Sequence, residues 1–222
     1  MDVQPRKAWK GMAMEGRVAD WYAKNTGKDL RRFEAAAHSV TARVATGARV
    51  LEVAPGPGYL ALELARRGYR VTGLDVSRSF MRIARENAAR AGLNVDFREG
   101  DAAHLPLPDA AFDHAVCLAA FKNFSDPLGA LDELHRVLVP GGTASILDLR
   151  RDVLAEAIAE EVKRMRLSRW NGAVTRFTFR FMLVPRAYPR DALESLAARS
   201  RFGRGELVND GIGFELRLTK AA

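Results

Sequence analysis

Cysteine is nearly absent: Cys117 is the one thiol in 222 residues, so the chain can form neither an internal disulfide nor a cysteine-rich zinc site. Histidine is almost as scarce. His38, His104, His114 and His135 are the four present, none pairs with another at metal-ligand spacing, and all four read as structural. No run of ~18 uncharged apolar residues occurs, which excludes a hydrophobic membrane-spanning helix. The first eleven residues carry Arg6, Lys7 and Lys10, but the apolar stretch that a secretory signal needs does not follow them. These absences predict a cytoplasmic protein without a metal.

What is there has a globular balance, 48% hydrophobic and 28% charged, too apolar for a disordered chain and of a length that one α/β domain commonly occupies. The formal charge of +8 would suit an anionic partner. Its lysines and arginines are scattered rather than blocked, however, and no nucleic-acid-binding motif accompanies them, so a small-molecule partner is favoured over nucleic acid. Nothing in the composition fixes an oligomeric state.

From Val50 onward, short apolar runs alternate with segments of helical period, the pattern of βαβ units. Strands are expected at Val50–Val53, Val71–Leu74, Val95–Arg98, His114–Ala119 and Ala144–Leu149. The intervening helices have their own punctuation: Ser77 as an N-cap, Gly68 and Gly92 as stops, and Asp126-Pro127 as a start with Leu128, Leu131, Leu134 and Leu138 as the buried stripe. Pro140-Gly141-Gly142 should end that helix before the fifth strand begins. Helices are also expected around Val18–Tyr22, Arg32–Val44, Asp152–Leu167 and Pro189–Arg199. Trp170–Leu183 fits either period and is assigned to helix. Arg204–Asn209 and Gly213–Leu218, joined through Asp210-Gly211-Ile212, read as a β-hairpin.

The segment Glu52-Val53-Ala54-Pro55-Gly56-Pro57-Gly58 ends a strand in bare backbone and opens a helix, so a ligand can approach the main chain and the N-terminal amides. Gly56, Gly58 and Ala61 also satisfy dinucleotide-binding spacing, and Asp75 at the next strand's end suits a ribose in either case. A second carboxylate at Gly100-Asp101-Ala102 would stand near an adenine amino group. The plain alternatives are a tight turn for the glycines, a helix cap for Asp75 and a turn residue for Asp101.

Taken together with Gly73-Leu74-Asp75-Val76-Ser77, Leu105-Pro106-Leu107-Pro108, Phe112-Asp113 and Arg136-Val137-Leu138-Val139-Pro140-Gly141-Gly142, these pieces resemble the class I S-adenosylmethionine-dependent methyltransferases of the ubiquinone and menaquinone C-methyltransferase type. The resemblance implies a Rossmann-like α/β fold: a seven-stranded, mostly parallel sheet with helices on both faces and a C-terminal antiparallel hairpin. It implies S-adenosyl-L-methionine as cofactor, with Glu52, Ala54, Gly56, Pro57 and Gly58 at the methionine part, Asp75 at the ribose, and Val76, Asp101 and Ala102 at the adenine. Leu118 and Ala119 would lie beside the sulfonium. Ala54-Pro55 departs from the family, where Gly-Cys-Gly or Gly-Ala-Gly is common.

One domain is expected, divided into a helical cap (1–45), a cofactor-binding core (46–150), a helical substrate lid (151–203) and the hairpin (204–222). Methyl transfer to a small-molecule acceptor is the leading reading; a nucleic-acid methyltransferase, a nicotinamide-dependent oxidoreductase and a non-catalytic cofactor-binding scaffold are the alternatives. Because a sulfonium methyl is already activated, no catalytic triad is demanded. Substrate-side candidates are Lys122, Asn123 and, in the N-terminal cap, Tyr22; each reads equally well as a loop or packing residue. Arg166, Arg169, Trp170, Arg176, Phe177, Arg180 and Phe181 interleave cationic and aromatic side chains, as a lid over an acidic or aromatic substrate or as an exposed amphipathic helix.

Overall fold

The computed structural model describes residues 8–10, 14–27, 30–165 and 169–222. Among them, seven strands form one sheet in the order β3-β2-β1-β4-β5-β7-β6, where β1 is Arg49–Val53, β2 Arg70–Asp75, β3 Asp96–Glu99, β4 Phe112–Leu118, β5 Leu138–Leu149, β6 Glu206–Asp210 and β7 Gly213–Thr219. Strands β1 to β5 pair in parallel, and β7 runs antiparallel between β5 and β6. The expected mixed sheet and hairpin are therefore present. The winding starts at β1, goes outward to β3, then returns to β4, so the order reverses between β1 and β4, where ligands of such sheets bind.

Helices cover both faces: α1 (Gly16–Thr26), α2 (Arg31–Thr41), α3 (Tyr59–Arg66), α4 (Arg78–Ala91), α5 (Pro127–Val137), α6 (Ala155–Arg164), α7 (Arg169–Thr178) and α8 (Arg190–Arg199). Alternation along the central strands sends side chains to opposite layers. Val50 and Val116 join the layer of α1 to α4, whereas Leu51, Val53, Ala115 and Cys117 join that of α5 and α8. Leu51, at 0% exposure in the central strand, is of the kind whose truncation to alanine costs ~2–5 kcal/mol.

Local chemistry sets the helix ends. Ser77 accepts the Phe80 amide and Gly92 closes α4 in the left-handed conformation; Asp126 accepts the Gly129 amide ahead of Pro127 in α5. The far end of α5 differs from expectation. Leu138 is already a strand residue, and the buried face is Ala130, Leu131, Leu134 and Val137, with Leu128 only half-buried. Strand β5 thus begins six residues before Ala144. Between the pairs Phe112↔Leu138 and His114↔Thr143 the ladder accommodates extra residues, with Gly141 at φ 75°, and the Lys220 backbone on the other side bonds Gly141 and Gly142. The glycines make a bulge within the strand rather than a break before it.

Trp170–Leu183 is helical, α7 continuing into a π-helical turn at Phe179–Leu183. Arg6, Lys7, Arg166 and Leu167 lie outside the described residues, as does the side chain of Arg169. No helix among the described residues is long and apolar enough to cross a membrane.

Candidate cofactor site

Strand β1 delivers the chain to the reversal point through a strained corner. Ala54 has φ 57° and donates its amide to Leu74 O at 2.8 Å; Gly56 (φ 54°) and Gly58 (φ 82°) follow in the same left-handed region. A Cβ on Gly58 would stand 2.7 Å from the Phe97 ring, whereas one on Gly56 would meet nothing nearer than Phe80 at 3.8 Å. Gly58 is needed for helix-to-sheet packing; Gly56 keeps its backbone bare. Pro55 also has a structural reason: its ring lies against Gly73, where a Cβ would be 3.2 Å from Pro55 Cγ.

Asp75 ends β2 next to this bend. Its carboxylate, 7% exposed, accepts the Gly56 amide at 3.1 Å on one oxygen and the Ser77 amide at 2.9 Å on the other. Each oxygen offers about two acceptor positions, which leaves capacity for a diol. Burial pushes the Asp75 carboxyl up to about 6, against the opposing pull of those amides. Val76 then presents an exposed apolar side chain at the rim.

Glu52, on the same face of β1 as Val50, is 2% exposed. One part of its carboxyl receives the Ala61 amide from the first turn of α3, and burial raises it to about 8. The oxygen Oε2 has no partner. Glu52 therefore ties β1 to the first turn of α3, with one buried carboxyl oxygen left unsatisfied.

Asp101 behaves first as a turn residue: Oδ1 accepts the Ala103 amide at 3.0 Å and Oδ2 lies 3.4 Å from His104 Nδ1. It follows Glu99, the register partner of Asp75, by two residues, and Ala102 beside it is buried. Leu118 ends β4, and Ala119 turns there with φ 60°, its amide held by Leu147 O at 2.7 Å. Pro57 is buried in the bend and gives its carbonyl to Asn87 Nδ2.

Of the residues expected to meet the substrate, Lys122 is buried. Its ammonium donates to Asp148 Oδ1 at 2.7 Å and to Ala119 O at 2.8 Å, while its own amide donates to Asp148 Oδ2. The structure spends this cation on strapping the loop after β4 to the end of β5. Asn123 is half-buried in a 3-10 turn, with its carbonyl accepting the Lys10 amide; the stretch Ala8–Lys10 runs alongside it through the Trp9↔Phe124 bridge. Tyr22 packs edge-on against Phe80 at 5.6 Å, and Phe80 is the ring that faces Gly56, so α1 reaches the back of the bend.

Sequence reasoning missed Glu15. Its carboxylate accepts the Arg78 and Ser79 amides at 3.0 Å each, while Ser77 Oγ donates to Met14 O and Gly16 N donates to Ser79 Oγ. The stretch Met14–Gly16 thus clips onto the N-terminus of α4, two residues from Asp75. An acidic residue just ahead of a helix was the one available signal, and it pointed to its own helix. Cys117 is fully buried, which raises its thiol and makes it inert; His114, bonded to Thr143 and lowered to about 4 by burial, is neutral. Two concavities lie away from Asp75, one of about 400 Å³ beside Arg43, Arg70 and Thr143 and one of about 320 Å³ beside Phe33, Tyr59 and Asn87.

Residues 51–146, spanning β1 to β5 with every element of the bend, match the family described as a methyltransferase domain. Over this stretch the chain is similar to a methyltransferase domain. Demethylmenaquinone methyltransferase of Thermus thermophilus is 46% identical to this chain over 102 residues, 45% of this chain and 46% of that enzyme. The Deinococcus radiodurans enzyme of the same name is 43% identical over 102 residues, 45% and 42% of the two chains. The chain thus matches about half the length of these curated relatives. Among solved structures, a Methanococcus maripaludis protein superposes with TM-score 0.76 at 20% identity over 96% of both chains. A SAM-dependent methyltransferase of Aquifex aeolicus does so at 0.70 and 21% over 90% of this chain and 97% of that one. At those identities the likeness is one of fold.

Proposed function

We propose that the chain transfers the methyl group of S-adenosylmethionine to a small-molecule acceptor. The observation that carries this reading is the Asp75 carboxylate, buried at the tip of β2 and hydrogen-bonded to the glycine bend, yet with acceptor capacity left over. The surroundings fit the cofactor: bare backbone at Gly56, an open apolar side chain at Val76, and an unpartnered buried carboxyl oxygen of Glu52 in the adjoining strand β1. Asp75 would hold the ribose hydroxyls, Val76 and Ala102 the adenine faces, and Asp101 its amino edge. Leu118 and Ala119 would border the methionine end.

S-adenosylmethionine supplies a methyl group already activated on a sulfonium, so the chain's task is to align an acceptor and exclude water. Residues 1–45 act as a cap clipped through Glu15, and 151–203 as the lid that selects the acceptor. The matched relatives methylate demethylmenaquinone by name, and their likeness to this chain extends over 102 residues, 45% of it; a naphthoquinol is the first acceptor to test.

Calorimetry with S-adenosylhomocysteine and, separately, NAD tests the cofactor. Binding of the first alone is expected, and Asp75→Ala should weaken it by ~1–3 kcal/mol through lost charge-assisted bonds. Preference for NAD, or an Asp75→Ala variant of unaltered affinity, refutes the assignment.

A further inference from the structure

Helix α7 and its π-helical extension are built inside out. Trp170, Val174, Phe177 and Phe181 recur at i, i+4, i+7 and i+11, which places them on one helical face, and that face is open: they are 77%, 48%, 60% and 59% exposed. The face turned to the protein is the smaller one. Gly172 packs there against Val162, and Phe179 joins the small cluster of Ile158, Val162 and Val184. The outer stripe is about 16 Å long at 1.5 Å per residue, and its rings form their own contacts: Phe177 and Phe181 lie 4.9 Å apart, and the Arg180 guanidinium stands 5.8 Å from the Phe181 centroid.

Charge completes the pattern. From Met165 to Pro189 the sequence has five arginines and no aspartate or glutamate, although acidic residues are interspersed through the helices before and after it. Arg176 and Arg180 are exposed and fall beside the stripe. Elsewhere in the chain arginines are mostly matched by carboxylates within a few residues, as in Arg82 with Glu86 and Arg190 with Glu194.

We propose that this face of α7 docks on an anionic lipid surface, the aromatic stripe entering the headgroup boundary while the flanking arginines pair with lipid phosphates. An exposed apolar band of this size marks an interaction site rather than an ordinary surface, and a basic flank on an amphipathic helix is what an interfacial helix uses. A second copy of the chain is a poor occupant, because a two-fold contact would bring the same acid-free arginine segment against itself. The inference does not depend on methyl transfer: it is measured without cofactor or acceptor, so its failure and that of the proposed activity are separable.

The full chain would be co-sedimented with vesicles of phosphatidylcholine alone or mixed with phosphatidylglycerol. Pelleting only with the anionic vesicles, weakened by salt, is expected. Arg176→Ser with Arg180→Ser should weaken it about 30-fold, given the contribution of a cation near such a surface, and Phe177→Ser with Phe181→Ser should weaken it at least as much while the circular-dichroism spectrum and melting temperature stay those of wild type. Equal pelleting of wild type and both variants, or none by wild type, overturns the proposal. So does a concentration-dependent dimer that the Phe177→Ser/Phe181→Ser variant abolishes, or tighter binding to an oligonucleotide than to the vesicles.

Discussion

Ala54 and Ala119 end the two neighbouring central strands, β1 and β4, in the same left-handed conformation, at φ 57° and 60°, on either side of the point where the strand order reverses. Each also donates its amide to the last part of the adjoining strand, Ala54 to Leu74 O and Ala119 to Leu147 O. A non-glycine residue held at positive φ costs ~1–2 kcal/mol. Two such residues at one crevice therefore represent backbone strain held in place by the sheet.

Relief of that strain is measurable. Ala54→Gly should raise stability by ~0.5–1 kcal/mol, the left-handed penalty less the greater freedom of glycine in the unfolded chain, read from the urea midpoint. A loss of that size instead would mean that the packing of the Ala54 methyl group outweighs the strain.

Glu52 and Asp75 make the unliganded protein sensitive to alkali. Both folded values lie above the ordinary ones, about 8 against 4.5 and about 6 against 3.8, so between those limits the folded state holds protons that the unfolded chain has released. Stability therefore falls as pH rises, from about 4 to 6 through Asp75 and onward to about 8 through Glu52. Glu52→Gln should flatten the Tm profile between pH 6 and 8 and raise Tm at pH 8; a profile identical to wild type would place the titration elsewhere.

The buried pair Lys122–Asp148 should show strong coupling. Lys122→Met leaves a buried carboxylate without its cation and should cost ~3–5 kcal/mol. Adding Asp148→Asn, whose carbonyl oxygen can still accept the Lys122 or Leu149 amide, should recover most of that loss. Additive effects in denaturant melts would show that the ion pair contributes little.

Arg136 ties together pieces that stand far apart in sequence. Its guanidinium donates to the Leu105 and Leu107 carbonyls, to Asp109 and to Glu133, whose other bond is to the Leu105 amide. Arg136→Lys should lose ~2 kcal/mol or more despite keeping the charge, because an ammonium cannot reproduce the planar fork. Near-wild-type stability in that variant would refute the fork's role.

The βαβ alternation, the glycine bend, the capped helices and the terminal hairpin were legible in the chain itself, because each follows from local spacing: period two or 3.6, a cap residue, a residue that tolerates positive φ. Asp75 was legible for the same reason, standing one strand after the bend. What spacing alone could not supply was the use of each side chain. Lys122 looked free to meet a ligand until Asp148, 26 residues on, took its charge; Glu15 carried no expectation and caps α4; Pro140-Gly141-Gly142 looked like a break and became a bulge because β4 and Lys220 bond on both sides of it. Local geometry is decided among neighbours along the chain, whereas the burial of a charge and the partner of a carboxylate are set by strands and helices that meet only once the sheet has closed.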